Sequence, residues 1–188
     1  MNSMSKNNNN FNPCLKRDHD DCCKGHHNDC DRKKDKKFCP TILKCGCPGS
    51  AVIQGPLVVG TTSPPATVSS VSVDTSRLCD PCVKLEFASV ISIPLLVTEA
   101  TITFQVFKIC GNQLQRIPVG PQWTFSRLIG VGSSDTFTFF VCDCGSCNDD
   151  CCTYVVEAVA TSLIGVGAVS ISNATLSAIA TCGTSNCC

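Results

Sequence analysis

A chain of 188 residues with no net formal charge is long enough to bury a core unaided, so its 18 cysteines are not there to rescue a small fold. Cysteine at close to a tenth of the sequence leaves disulfides or metal as the physical explanations. Three histidines, one Trp and one Tyr leave little for catalysis, and no Ser/His/Asp arrangement, phosphate-cradling glycine loop or paired carboxylate cluster is visible.

The neutral total hides an asymmetry. Residues 1–50 carry ten basic and six acidic side chains, a net of +4, while residues 51–188 carry five basic and nine acidic ones, a net of −4. The two parts should attract, within one chain or between copies. Aspartates interrupt the basic part, which also lacks the aromatic interleaving of a single-strand platform, so no nucleic-acid partner is expected. The start, MNSMSKNNNNFNP, lacks the apolar core of a secretory signal, and no run approaches the ~18 apolar residues of a membrane span. The expectation is a soluble protein made in the cytoplasm without a membrane partner, oxidised after assembly or release.

Residues 1–50 show no hydrophobic periodicity and read as an extended, flexible arm. They hold His19, His26 and His27 with Cys14, Cys22, Cys23, Cys30, Cys39, Cys45 and Cys47. A metal site built on His19, Cys22, His26, His27 and Cys30 is the alternative reading of this arm, although the spacing repeats no zinc knuckle. An inter-subunit connector or a plain flexible arm are its competitors, and no cofactor is expected.

Composition breaks at Pro48-Gly49-Ser50, and the domain is expected to span 51–188. Strand-type runs then follow at 51–60, 67–75, 83–93, 100–109, 114–129, 135–142, 153–161 and 166–181, with turn residues between them and no helical stretch. About eight strands without helix predict an all-β, antiparallel sandwich. Val83, Leu85 and Phe87 alternate with Lys84 and Glu86, and Ile102, Phe104 and Val106 with Thr101, Thr103 and Gln105, which gives one core face and one wet face. In 100–109 the phase then changes, because Phe107 and Ile109 are apolar where Thr103 and Gln105 were polar; a β-bulge near Val106 or Phe107, or a covered outer face, is expected. Trp123 reads as core. The sequon at Asn173 is a chance match in a chain read as cytoplasmic.

The densest sulfur lies in DTFTFFVCDCGSCNDDCCTYVVEAV at 135–159, which reads as a hairpin with Cys142, Cys144, Cys147, Cys151 and Cys152 around its turn. Such a hairpin would set Cys142 opposite Cys151 or Cys152, with Cys110 a third partner. Adjacent cysteines on a strand point to opposite faces, so Cys151-Cys152 can send one sulfur inward and one to another chain. Tetrahedral zinc usually takes two knuckles on separate elements, which favours disulfides here. Cys79 and Cys82 flank Asp80-Pro81 in CDPC before a strand, whereas a redox dithiol opens a helix. Cys182, Cys187 and Cys188 sit on a Gly-, Ser- and Asn-rich tail.

The segments CDPCVKLEF, TFQVFKICGNQ, RIPVGPQWTFSR, SDTFTFFVCDCGSC and CCTY resemble a cysteine-rich domain of unknown function found in spore-forming clostridia. By its architecture that family in turn resembles the subunits of endospore appendages, the pilus-like fibres on spores of the Bacillus cereus group. The resemblance implies a jelly-roll that stacks by sheet augmentation, and an N-terminal connector with a hydrophobic residue, a double cysteine and a further cysteine. Leu15, Cys22-Cys23 and Cys30 fit that order. It therefore implies a non-enzymatic, homopolymeric fibre subunit on the spore surface, alongside other spore-surface proteins. Cys14, Cys22, Cys23, Cys30, Cys110, Cys151 and Cys152 are the candidates for inter-subunit disulfides, and Cys79, Cys82, Cys142, Cys144 and Cys147 for bonds within the domain.

Overall fold

The computed structural model describes residues 39–55, 58, 60–78, 80–111, 115–128, 132–144 and 151–183. They form nine strands and no helix: β1 (Ile42–Cys45), β2 (Gly49–Gln54), β3 (Ala66–Asp74), β4 (Pro81–Ile93), β5 (Val97–Cys110), β6 (Ile117–Leu128), β7 (Ser133–Cys144), β8 (Cys151–Gly165) and β9 (Ala168–Cys182). All pairings are antiparallel. In the first sheet β1 and β2 lie one after the other along one flank of β9, followed by β4 and β7; the second sheet runs β3-β8-β5-β6. Apart from the β5–β6 hairpin and the break between β1 and β2, successive strands change sheet, as in a jelly-roll.

Period-two patterning decides which side chains enter the space between the sheets. Leu85, Phe87 and Ile91 of β4 meet Ile102, Phe104 and Val106 of β5, with Val156 of β8 and Leu176 of β9, all almost fully buried. Each large side chain so buried contributes roughly 1.5–3 kcal/mol. Towards the β6–β7 flank the core is aromatic, with Trp123 stacked on Phe139 at 4.1 Å and Phe104 against Phe137 at 4.7 Å. Trp123 is thus a core-packing residue, as its sequence context suggests. β9 lies in the middle of its sheet, and its Ala174, Ala178 and Ala180 allow close approach where larger side chains would not fit.

Three expectations need correction. The segments around the 142–152 cysteines do not make a hairpin: β7 pairs with β4 in the first sheet and β8 with β3 and β5 in the second. Turn-rich residues between two strands look alike whether the chain doubles back or crosses a sandwich. The phase of β5 does not change either, since even-numbered residues face inward from Ala100 through Cys110 and Lys108 is the buried one. The bulge lies in β6, where 120–122 stand against the single residue Gln105. Gly120 takes φ 68° there, and the Gln105 amide donates to the carbonyls of Val106 and Val119 at 3.0 and 3.2 Å. Finally, the sandwich includes residues before Ala51, because β1 pairs with β9 and Cys39 is bonded to Cys182. Gly46-Cys47-Pro48 interrupts an edge strand and does not bound the domain; four residues, ILKC, were too short to show a period.

On the β6–β7 flank the Arg127 guanidinium donates twice to Asp135, at 2.5 and 3.2 Å, and Ser133 adds a hydroxyl donor at 3.2 Å. The Arg127 hydrogen bond holds the Asp135 carboxyl below its ordinary range. A lowered folded-state pKa gives stability that is present above the unfolded value and lost as pH falls through the folded one. The melting temperature of the wild type should therefore exceed that of Asp135→Asn at about pH 6, and the two should converge towards about pH 2. A constant gap across that range, read by calorimetry, would show that the carboxylate charge plays no part.

Candidate functional site

Strand register brings Cys82, Cys110, Cys142, Cys144, Cys151, Cys152 and Cys182 to one pole of the sandwich, where β4 and β8 begin and β5, β7 and β9 end, while Cys45 stands opposite Ser177, further in along β9. Cys82 and Cys144 are directly opposed on β4 and β7 and bonded, with Cα atoms 4.1 Å apart. Cys110 and Cys152 are opposed on β5 and β8 and bonded at the same Cα separation of 4.1 Å. Cys39 and Cys182, 143 residues apart in sequence, tie the lead into β1 to the end of β9. Cys47 and Cys151 each carry a disulfide as well. Cys45 and Cys142 are free and exposed.

The Cys82–Cys144 and Cys110–Cys152 bonds each stay within a sheet, and charge joins the two sheets at this pole. Lys108 Nζ of β5 lies 3.1 Å from Asp143 Oδ2 of β7, and the Tyr154 hydroxyl of β8 donates to the same oxygen at 2.8 Å. The Lys108 side chain is 5% exposed and that of Asp143 18%. Nearby, Arg116 pairs with Glu157, a largely buried carboxylate on the outer side of β8. Sequence reasoning missed both pairs; the signal for the first was a lysine at an inward position of β5.

Cys110 and Cys152, expected to reach other subunits, are satisfied by each other, because the β5–β8 register sets them face to face in the core. Cys142, expected to bond within the domain, stands on the outer face of an edge strand away from β8. Cys82 and Cys144 bond to one another, and Cys151 carries a disulfide. Cys39 and Cys182, assigned by sequence to the arm and the tail, belong to the pole, while Cys45 and Cys47, also assigned to the arm, lie beside β9 nearer its middle. Cys14, His19, Cys22, Cys23, His26, His27, Cys30, Cys79 and Cys147 lie outside the described residues. Among the described residues no group of three or more His, Cys, Asp or Glu side chains is placed to hold a metal ion.

The opposite pole is apolar. Leu95 and Leu96 in the β4–β5 turn, Val166 in the β8–β9 turn, and Ile164 and Leu128 on either side of Glu99 are all exposed. The amide of Val166 donates to the Leu96 carbonyl at 2.9 Å, so the two turns are adjacent.

Residues 39–181 match the family described as Domain of unknown function (DUF4489). The chain belongs to this family. The matched span begins at Cys39 and closes one residue short of Cys182, so it coincides with the sandwich that the Cys39–Cys182 bond encloses. Its description names no enzymatic activity. No curated protein matches the chain. Among solved structures the DUF4489 domain is similar to infectious bursal disease virus, Gx strain, at TM-score 0.43 and 11% identity over 84% of this chain and 37% of that one. It is also similar to the Eiger TNF of S. frugiperda, at TM-score 0.41 and 10% identity over 74% of this chain and 92% of that one. The chain spans little more than a third of the viral chain it matches.

Proposed function

We propose that this DUF4489 protein is the repeating subunit of a structural, self-assembling fibre of the spore-appendage or spore-surface type. It polymerises by pairing of sheet edges and is locked by disulfides between subunits. The observation that carries this reading is the direction of the strands in the first sheet. β1 against β9, β9 against β4 and β4 against β7 are each antiparallel, so the two outer flanks, β1/β2 and β7, run in opposite directions. A second copy displaced sideways therefore meets β7 with its own β1 as one more antiparallel pairing, without rotation. Repetition of such a head-to-tail contact propagates instead of closing.

The apolar pole supports the same reading, since uncovered clusters of large apolar side chains mark surfaces that meet something else. The main partner is the protein itself, with other spore-surface proteins as neighbours. The chain is made in the cytoplasm and ends outside the cell, where a disulfide-rich pole persists. Within the arm, Cys22 and Cys23 are the connector cysteines that the appendage resemblance points to.

Negative-stain microscopy of the oxidised full-length chain tests the reading. Filaments should survive hot detergent and come apart only when reductant and denaturant are added together; Cys22→Ser with Cys23→Ser should remove that resistance and leave the sandwich folded. A chain that stays monomeric at high concentration, with its thiols oxidised internally, overturns it.

A further inference from the structure

The free thiols Cys45 and Cys142 lie on opposite flanks of one sheet, Cys45 on β1 and Cys142 on β7. Both face outward. Ile42 packs on the core, which turns Leu43 and Cys45 the other way; Phe139 and Val141 point inward, which turns Phe140 and Cys142 out. Three strand spacings, about 14 Å, separate the two flanks, and sulfurs on strands that far apart cannot bond within one chain.

Register fixes their relative height. Leu43, Ile179, Lys84 and Cys142 share one row across the sheet, and Cys45, Ser177, Glu86 and Phe140 share the next outward-facing row. The thiols are thus offset by two residues, the smallest slip that keeps every side chain on its own face. We propose that β7 of one copy pairs with β1 of a second copy in this slipped register, and that Cys142 of the first is bonded to Cys45 of the second. This rests on the self-assembly reading above and names its contact.

Charge selects the same arrangement. With Cys45 opposite Cys142, Lys44 of the second copy falls opposite Asp143, an exposed cation beside a carboxylate already at the edge of the core. A two-fold pairing of β7 with β7 would set Asp143 against Val141 and supply no cation. Directly opposed antiparallel residues have Cα atoms about 4.5–5.5 Å apart, inside the range a disulfide spans. The chain already uses this device twice, in Cys82–Cys144 and Cys110–Cys152. Leu43, 65% exposed, would then cover the Cys82–Cys144 bond of its neighbour.

In the bonding step the two S–H bonds break and one S–S bond forms. Two protons and two electrons leave, and dioxygen takes them up as hydrogen peroxide.

The test uses full-length Cys45→Ser and Cys142→Ser, one of them isotopically heavy, oxidised separately and as a mixture, then alkylated and digested for peptide mapping. Only the mixture should yield a heavy–light peptide joining Cys142 of one variant to Cys45 of the other, and the wild type should yield the same linkage. Filaments in which Cys45 and Cys142 are recovered alkylated overturn this contact and leave the self-assembly reading standing. A Cys142–Cys142 linkage in Cys45→Ser alone also overturns it, in favour of a two-fold contact. Absence of any assembly by microscopy overturns both.

Discussion

Replacing Cys110 and Cys152 together by Ala should lower the stability of the monomeric sandwich by about 4 kcal/mol and its melting temperature by roughly 8–16 °C. The bond closes a loop between residues 42 apart in sequence, and releasing a loop of that length returns most of this free energy to the unfolded chain as conformational entropy. Both residues are buried and belong to the hydrophobic core, so the change also removes packed sulfur from beneath β5 and β8. Cys39–Cys182 spans 143 residues, yet its effective loop is shortened by the Cys82–Cys144 bond inside it, so its loss should cost a comparable amount. Calorimetry on the double variants beside the wild type, with the remaining disulfides oxidised, measures both. A loss under about 1 kcal/mol for Cys110/Cys152 would mean that the β5–β8 ladder alone holds this pole.

What the sequence made legible was local. Alternation in 83–93 and 100–109 identified β4 and β5 with their inward faces, and the runs at 67–75, 135–142 and 166–181 fall inside or beside β3, β7 and β9. What it hid was which strands become neighbours. Cys110 lies opposite Cys152 only because β5 and β8 are paired over their whole length, a fact about two segments separated by β6 and β7. The 135–159 stretch was misleading for the same reason, since a cysteine-rich turn between two good strands carries the local signs of a hairpin. β1 was invisible because ILKC follows a charged, cysteine-rich segment and is exposed along most of its length. The phase of β5 was misread because Phe107 and Ile109 are apolar on its outer face, and burial of the lysine between them is favourable only with a partner such as Asp143, 35 residues on in sequence and in the other sheet.

That ion pair sits at the base of the cysteine pole, and its removal in two ways gives opposite results. Asp143→Asn keeps an acceptor for the Tyr154 hydroxyl but removes the carboxylate charge that lies 3.1 Å from the buried Lys108 ammonium. Breaking a buried pair from one side costs roughly 3–5 kcal/mol, because the remaining charge stays desolvated. Adding Lys108→Met replaces that charge with an apolar chain of similar length, and the double variant should return to within about 1 kcal/mol of the wild type. Since the two variants differ only in Lys108, their comparison isolates the effect of the Lys108 charge from loss of packing at Asp143. The measurement is urea unfolding of both variants beside the wild type, with the slope checked for constancy. If the double variant is as unstable as Asp143→Asn, the charge is not the cause. The Asp143 carboxylate would then matter through its hydrogen bond from Tyr154, which ties β8 to the same edge strand, β7, that carries the free Cys142 thiol.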